Sequence, residues 1–286
     1  MLKKRPDGRV VKTIPPIQKI MPYIMKTRTD SMNMYDDVFN CEEWDSYIKE
    51  KEAEGLKMSY MHIFIAGVVR MIALRPQLNR FIMNGRVYTR HKINVSFVVH
   101  PKLCDGDTET TIKLEFEGTE TIQEIAETIN RRVKEETTDR QGENGTDKLA
   151  KVLTNIPGPI IRFALNTLMW MDRHNLLPKA IIDLSPFHTS FFITNLKSLG
   201  INYIFHHTYE FGTTGLFFAI GKEQNHVDLD KEGNIISEKR MGWGLVTDER
   251  FCDGLYFALS LRQLGKFMKN PKLLEEPLEA KVEDVE

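Results

Sequence analysis

An apolar strand that runs through a polar, glycine-terminated turn straight into a helix is the feature that most constrains this chain. The strand covers Trp243–Asp248, the turn is Asp248–Gly254, and an amphipathic helix follows. Two apolar strands precede it, Thr189–Asn195 and Thr214–Gly221, and a turn around 230–234 leads to the third. Side chains in such a turn are held by rigid elements and still reach the surface, so we expect a functional site there.

The composition is typical of a soluble globular protein. Of the 286 residues, 41% are hydrophobic and 28% charged, and 39 basic side chains nearly cancel 40 acidic ones. This balance gives no support to binding of nucleic acid or of an anionic membrane. No stretch reaches the roughly 18–20 apolar residues that span a bilayer. Cys41, Cys104 and Cys252 form no CxxC pair, so we expect reduced thiols in a cytoplasmic protein, without a disulfide framework or a zinc site.

The remaining chain mixes helices and strands without regular βαβ alternation. Periodic apolar positions predict helices at Glu42–Gly55, Tyr60–Leu74 and Thr121–Glu136, and strands within 29–40 and at Arg86–Thr89, Ile93–Val99 and Thr110–Phe116. The mixture predicts an α/β two-layer sandwich with a mixed β-sheet.

Three runs in the last third carry a resemblance to a known family. The turn reads Asp-Glu-Arg-Phe-Cys-Asp-Gly over Asp248–Gly254, where that family has Asp-His-Arg-x-x-Asp-Gly. Phe191–Lys197 is similar to its Phe-Thr-Ile-Ser-Asn-Leu-Gly strand, and Leu216–Gly221 to its Ile-Leu-Ala-Ile-Gly strand. The chain thus resembles, from about Ile14 to Leu274, the catalytic domain of the 2-oxo acid dehydrogenase acyltransferases, the superfamily of dihydrolipoamide acyltransferase and chloramphenicol acetyltransferase. The resemblance implies a chloramphenicol acetyltransferase-like fold.

The resemblance also implies a site. In the family, the motif histidine is the general base on the thiol of coenzyme A or dihydrolipoamide, and a hydroxyl on another strand stabilises the oxyanion of the tetrahedral intermediate. Carried over by position, the hydroxyl is Thr194, the structural aspartate is Asp253, and Glu249 occupies the position of the base. Coenzyme A is then the acyl-carrying substrate, with no metal. A homotrimer or a multiple of it, with the site between two subunits, is implied as well. Because the resemblance begins at about Ile14, we expect either that an acyl-carrier or lipoyl partner is a separate protein or that the substrate is a different acyl acceptor.

How much of that chemistry we expect depends on Glu249, because it occupies the position of the general base. An unperturbed glutamate has a pKa near 4.3 and a thiol one near 8.5, a mismatch of about four units, or roughly 5–6 kcal/mol against proton abstraction. Burial of the carboxyl group would reduce the mismatch. Two hypotheses follow: an acyltransferase of reduced or altered activity that uses Glu249 as its base, and a non-catalytic structural or interaction protein that keeps the trimeric fold.

Other side chains could take the role of the missing motif histidine. His100, His188 and the pair His206-His207 could lie near the site, because strands bring distant residues together. Neighbours on a strand point to opposite faces, so the pair is poorly suited to hold one metal ion, and each histidine is expected to have a structural role. Cys252 is expected to be a small core residue rather than a nucleophile. No GxGxxG, GxxxxGK[ST], GxSxG or HExxH motif is present, so nothing supports a nucleotide fold, a serine hydrolase or a zinc protease.

We expect one catalytic domain over residues 1–275, with a polar N-terminal arm at 1–16 and an apolar insertion at 149–178. Ile160–Met171 in that insertion is almost continuously apolar and is predicted to be a buried or subunit-facing helix. The alternatives are a lid over an acyl pocket and a contact with a lipid surface. Residues 276–286 are acidic and lack aromatics, which predicts a flexible tail.

Overall fold

A computed structural model describes residues 4–100, 109–137 and 156–286. Its strands are β1 (Gly8–Val10), β2 (Met32–Asn40), β3 (Arg80–Met83), β4 (Arg86–Arg90), β5 (Ile93–Val99), β6 (Thr110–Phe116), β7 (Phe191–Asn195), β8 (Leu216–Leu229) and β9 (Ile235–Asp248). Its helices are α1 (Pro16–Ile24), α2 (Glu42–Ala53), α3 (Tyr60–Leu74), α4 (Ile122–Thr137), α5 (Gly158–Arg173), α6 (Lys179–Leu184) and α7 (Gly254–Lys269). Cys104 and the start of the predicted insertion lie outside the described residues.

Six of the strands form one sheet in the order β2-β9-β8-β7-β5-β6, and β1, β4 and β3 form a small second sheet. Strand β7 runs parallel to both β5 and β8, whereas the other neighbours in the large sheet are antiparallel. The predicted α/β fold with a mixed sheet is therefore confirmed.

Helices cover one face of the large sheet and enclose the main core. Helix α3 is apolar nearly all round, and 13 of its 15 residues are buried, as expected for a central helix. Phe64 of α3 packs its ring against Phe218 of β8 and Trp243 of β9. Burial of such aromatic rings removes much apolar surface from water, so this contact fixes the sheet against its helical layer.

The opposite face of the sheet is covered by a chain segment without regular structure, residues 201–209. Tyr203 in this segment lies over β9, where a Cβ atom on Gly242 or Gly244 would come within 2.7 or 2.8 Å of its ring. The Tyr203 hydroxyl donates a hydrogen bond to Asp36 on the neighbouring β2. The glycines thus make room for a segment that passes close over the sheet.

Strands β8 and β9 are longer than the sequence predicts. Their pairing shifts register between Ile220 and Glu223 and then continues out to the turn at 230–234, where Gly233 has a φ of +85°. The added part of the hairpin is mostly exposed. It therefore lacks the buried apolar face by which a strand is predicted from the sequence. Backbone pairing between the two strands satisfies its polar groups instead.

Helix α5 differs from its prediction as a buried helix. Within one chain only Asp172 of α5 is buried, and Phe163 and Trp170 are 73% and 53% exposed. The end of the helix is anchored by Arg5, which forms an ion pair with Asp172 at 2.9 Å. The apolar run therefore makes an exposed surface, and whether a second subunit contacts it stays a prediction.

The C-terminal residues also differ from their prediction as a flexible tail. Asp284 is buried and forms a two-pronged ion pair with Arg80, with both N–O distances at 2.7 Å. The backbone of Val282 donates to Ala73, and the carbonyl of Glu286 accepts from Lys12. An acidic composition predicted solvation, but one of these acids has a buried cationic partner far away in the sequence.

Candidate functional site

The turn after β9 is held rigidly and presents Glu249 to solvent. Arg250 binds Asp248 through two bonds, Nε to Oδ1 at 2.8 Å and Nη2 to Oδ2 at 2.6 Å, and both side chains are buried. The backbone N–H of Glu249 donates to the carbonyl of Ser31 at 3.0 Å. The side chain of Glu249 is exposed, so one chain alone does not enclose this carboxylate.

Asp253 has a structural role at the start of α7. Its Oδ1 accepts a hydrogen bond from the backbone N–H of Tyr256 at 2.8 Å, which is the contact of a helix N-cap. Burial raises the pKa of the neighbouring Cys252 to about 12, so that thiol stays protonated and is a poor nucleophile. Glu249, Cys252 and Asp253 line one cavity of about 300 Å³, together with residues of α1 such as Ile17 and Met21.

Thr194 lies near the end of β7, on the sheet face opposite the helices. Its Oγ1 lies 3.0 Å from Nε2 of His206, which comes from the segment 201–209. The His206 ring stacks on Phe217 of β8 with centroids 4.4 Å apart and an angle of 17° between the planes. Burial, and to a smaller extent the charge of His207, lowers the pKa of His206 below its ordinary value. The imidazole is thus neutral at neutral pH and held against the threonine hydroxyl.

A cavity of about 600 Å³ opens at this pair. Its walls are mostly apolar, and its polar groups include Thr194, His206, Asn195 and Tyr209. The remaining lining residues are Met61, Val98, Val99, His100, Glu109, Val133, Thr137, Phe192, Leu196, Ser198, Leu199 and Phe217. A cavity of this size with a few converging polar groups is typical of a small-molecule site.

One chain does not bring Thr194 and Glu249 together. Thr194 pairs with Ala219 of β8, which pairs with Gly244 of β9, and β9 then runs five residues further to Glu249 in the opposite direction. At about 3.3 Å per residue and 4.8 Å per strand spacing, the two side chains are separated by about 16 Å along the strands and about 10 Å across them. They line different cavities, so any site that uses both needs a second copy of the chain.

Two other candidate histidines, His188 and His100, lie in different surroundings. His188 is fully buried, with Nδ1 2.8 Å from Ser185 Oγ and Nε2 3.2 Å from Asp172 Oδ2, so it belongs to the packing around the end of α5. His100 is exposed at the rim of the Thr194 cavity. Within the described residues, no cluster of three or more His, Cys, Asp or Glu could hold a metal ion. None of the helices in this part of the chain is long and apolar enough to cross a membrane.

Comparison with solved structures identifies the fold. The cubic core of the pyruvate dehydrogenase multienzyme complex superposes with a TM-score of 0.58 at 10% identity, over 92% of this chain and 93% of that one. The chain has the fold of the dihydrolipoamide acetyltransferase catalytic core. The Azotobacter vinelandii dihydrolipoamide acetyltransferase is similar at a TM-score of 0.57 and 11% identity, over 92% and 93% of the two chains. A chloramphenicol acetyltransferase is similar at 0.56 and 11%, over 91% and 99%. No protein-family model matches the chain, and no curated protein matches its sequence.

The acyltransferase fold agrees with the resemblance that the sequence motifs predicted. Such low identity shows the fold and leaves the roles of Thr194, Glu249 and Asp253 as predictions. His206 was among the histidines that could lie near the site, but its contact with Thr194 was not predicted, because the adjacent histidines were expected at a strand and in a structural role. The segment 201–209 instead leaves the sheet and returns over its face.

Proposed function

We propose that the protein transfers an acyl group from a thioester, carried by coenzyme A or a lipoyl-type carrier, to an acceptor bound in the Thr194 cavity. The observation that carries the proposal is the threonine hydroxyl in the lining of a mostly apolar cavity, at the position to which the family resemblance assigns the oxyanion-binding hydroxyl. A hydroxyl there can donate a hydrogen bond to the developing oxyanion, which is the largest contribution to many acyl transfers.

The similar Azotobacter acetyltransferase supports this assignment. Its catalytic mechanism was investigated at a serine, a histidine and an asparagine, and the last two lie four residues apart, the spacing of Glu249 and Asp253 here. In this chain a carboxylate therefore stands where imidazole is expected. Because Glu249 is exposed, we propose that it is a weak base and that any transfer dependent on it is slow.

We propose further that the chain assembles into a homotrimer or a multiple of it. One similar structure is the cubic core of a multienzyme complex, so this fold is known to assemble. Exposed apolar side chains support the assembly, including Ile17 at 61%, Ile24 at 60% and Phe163 at 73%. Large exposed apolar patches mark contact surfaces, and a second copy is the partner that would bring a Glu249 turn to a Thr194 cavity.

The alternative is a non-catalytic structural or interaction protein with the same fold. The observation that favours it is the replacement of the motif histidine by Glu249. Incubation of acetyl- and longer acyl-coenzyme A with dihydrolipoamide separates the two hypotheses when free coenzyme A is quantified by chromatography, because transfer between thiols leaves the total number of thiols unchanged. Turnover well above the uncatalysed rate supports the transferase, whereas no turnover with any acyl chain supports the non-catalytic protein.

Substitution of Glu249 tests its role as base. We expect Glu249→Gln to change kcat less than threefold, because an exposed carboxylate is a much weaker base than the thiolate that it would have to generate. Glu249→His is expected to raise kcat, since an imidazole faces a mismatch of only about two pKa units against a thiol. Glu232→Gln, at an exposed glutamate in the turn at 230–234, controls for a change in net charge. A loss of a hundredfold or more in Glu249→Gln would show instead that Glu249 is the main base.

A further inference from the structure

The contact between Thr194 and His206 places an imidazole at the cavity within a single chain. Thr194 Oγ1 and His206 Nε2 are 3.0 Å apart, within the range of a hydroxyl hydrogen-bonded to a general base. The stacking on Phe217 fixes the plane of the ring, so Nε2 stays directed at the hydroxyl. A base held in orientation by a third group is the arrangement found in many acyl-transfer sites.

We infer that His206 is the general base of the Thr194 cavity and supplies, from the same chain, the imidazole that the turn at Glu249 lacks. This inference rests on the proposed acyl transfer. It differs from the motif-derived site in both the residue and the subunit that provide the base. Glu249 lies about 16 Å away along the strands, at the other end of the sheet, and cannot reach the same proton within one chain.

The reaction at this pair is a thioester exchange. The acceptor thiol displaces the Thr194 hydroxyl from Nε2 and gives its proton to that nitrogen. The thiolate sulfur then bonds to the thioester carbon, and the carbonyl π electrons move to oxygen, where the freed Thr194 hydroxyl donates a hydrogen bond. When the intermediate collapses, the bond from carbon to the original sulfur breaks. The protonated His206 returns its proton to the departing thiolate, so the imidazole ends neutral.

The surroundings of His206 suit this role. Burial and the charge of His207 keep the ring neutral at neutral pH, which is the form that accepts a proton. The other titratable groups that line the cavity are His100, Glu109 and Tyr209. Asn195 also lines the cavity, and its buried Oδ1 has no hydrogen-bond partner among the residues that the structure describes, so it can accept a hydrogen bond from a bound ligand.

The neighbouring His207 offers a matched control. It is exposed, and its ring contacts Tyr209 with centroids 5.2 Å apart. The cavity lining includes His206 and not His207. Loss of the His207 imidazole therefore changes the local charge and leaves the Thr194 contact in place.

The test measures kcat and KM for transfer from acyl-coenzyme A to dihydrolipoamide between pH 5 and 9, with free coenzyme A quantified by chromatography, in wild type, His206→Gln, His206→Ala and His207→Gln. We expect His206→Gln to lower kcat by about 10²–10⁴, with little change in KM, and His207→Gln to change it less than threefold. Wild-type kcat should fall on acidification as His206 takes up a proton, at a pH below the ordinary pKa of a histidine because burial lowers the pKa of His206, and His206→Gln should lack that decline. Added imidazole should restore part of the activity of His206→Ala, which a purely structural role would not allow.

The outcomes separate this inference from the proposed function. If wild type is active and His206→Gln keeps its kcat and its acid decline, His206 is not the base and acyl transfer stands. If wild type releases no coenzyme A with any acyl chain, both fail. Circular dichroism and thermal unfolding verify that each variant is folded. If His206→Gln does not fold, the pH profile of the wild type and the imidazole rescue of His206→Ala decide.

Discussion

Replacing Thr194 with valine is expected to lower kcat for acyl transfer by about 10²–10³, because the change removes one donor to the oxyanion and keeps the shape of the side chain. Thr194 is half-buried near the end of β7, and its hydroxyl contacts His206 at 3.0 Å and, more distantly, the carbonyl of Phe218 at 3.5 Å. We therefore expect the folded state to be nearly as stable as wild type. The measurements are the steady-state release of coenzyme A from acetyl-coenzyme A, with dihydrolipoamide as acceptor, and thermal unfolding.

A hydroxyl elsewhere in the same cavity provides the control. Ser198 lines the cavity and is exposed, and its Oγ donates to the carbonyl of Asn195 at 2.7 Å. We expect Ser198→Ala to change kcat less than threefold. Equal activity of Thr194→Val and wild type would exclude the threonine hydroxyl from the transition state.

Replacing Asp284 with asparagine is expected to lower the free energy of unfolding by about 3–5 kcal/mol, because Arg80 would keep its charge in a buried site without its partner. The two side chains are only 2% and 3% exposed, and their two bonds measure 2.7 Å. Arg80 also donates to the carbonyl of Phe251 at 3.2 Å, so the strain would extend to the turn that carries Glu249. Urea unfolding followed by fluorescence measures the change.

The adjacent acidic residue is the control for this substitution. Glu283 is exposed, and Glu283→Gln should change the free energy of unfolding by less than about 0.5 kcal/mol. If Asp284→Asn and wild type unfold at the same urea concentration, the last residues do not hold the fold, and the prediction of a flexible tail was right after all.

Local patterns predicted the elements that bury one apolar face. Strand β6 alternates apolar and polar residues, and helix α3 is apolar on most sides, so both were found close to their observed ends. The strand and turn that lead to Gly254 were found for the same reason. These elements obtain their stability from contacts that their own sequences display.

The features that the sequence did not reveal depend on partners distant in the chain. Asp284 looks solvated until Arg80, 204 residues earlier, is placed beside it. Helix α5 has many apolar residues, and within the described part of one chain no apolar surface buries them. His206 approaches Thr194 only because its segment lies across glycines 242 and 244 of β9. Contacts of this kind follow from topology, and periodicity carries no signal for them.

Because Thr194 and Glu249 lie at opposite ends of the sheet, one polypeptide of the proposed oligomer would contribute half of each of two shared pockets, whereas it contains a whole threonine–histidine pair by itself. Specific activity on dilution distinguishes the two arrangements. A pocket completed by another copy loses activity as the oligomer dissociates, whereas a pair contained in one copy keeps its rate per molecule down to nanomolar protein.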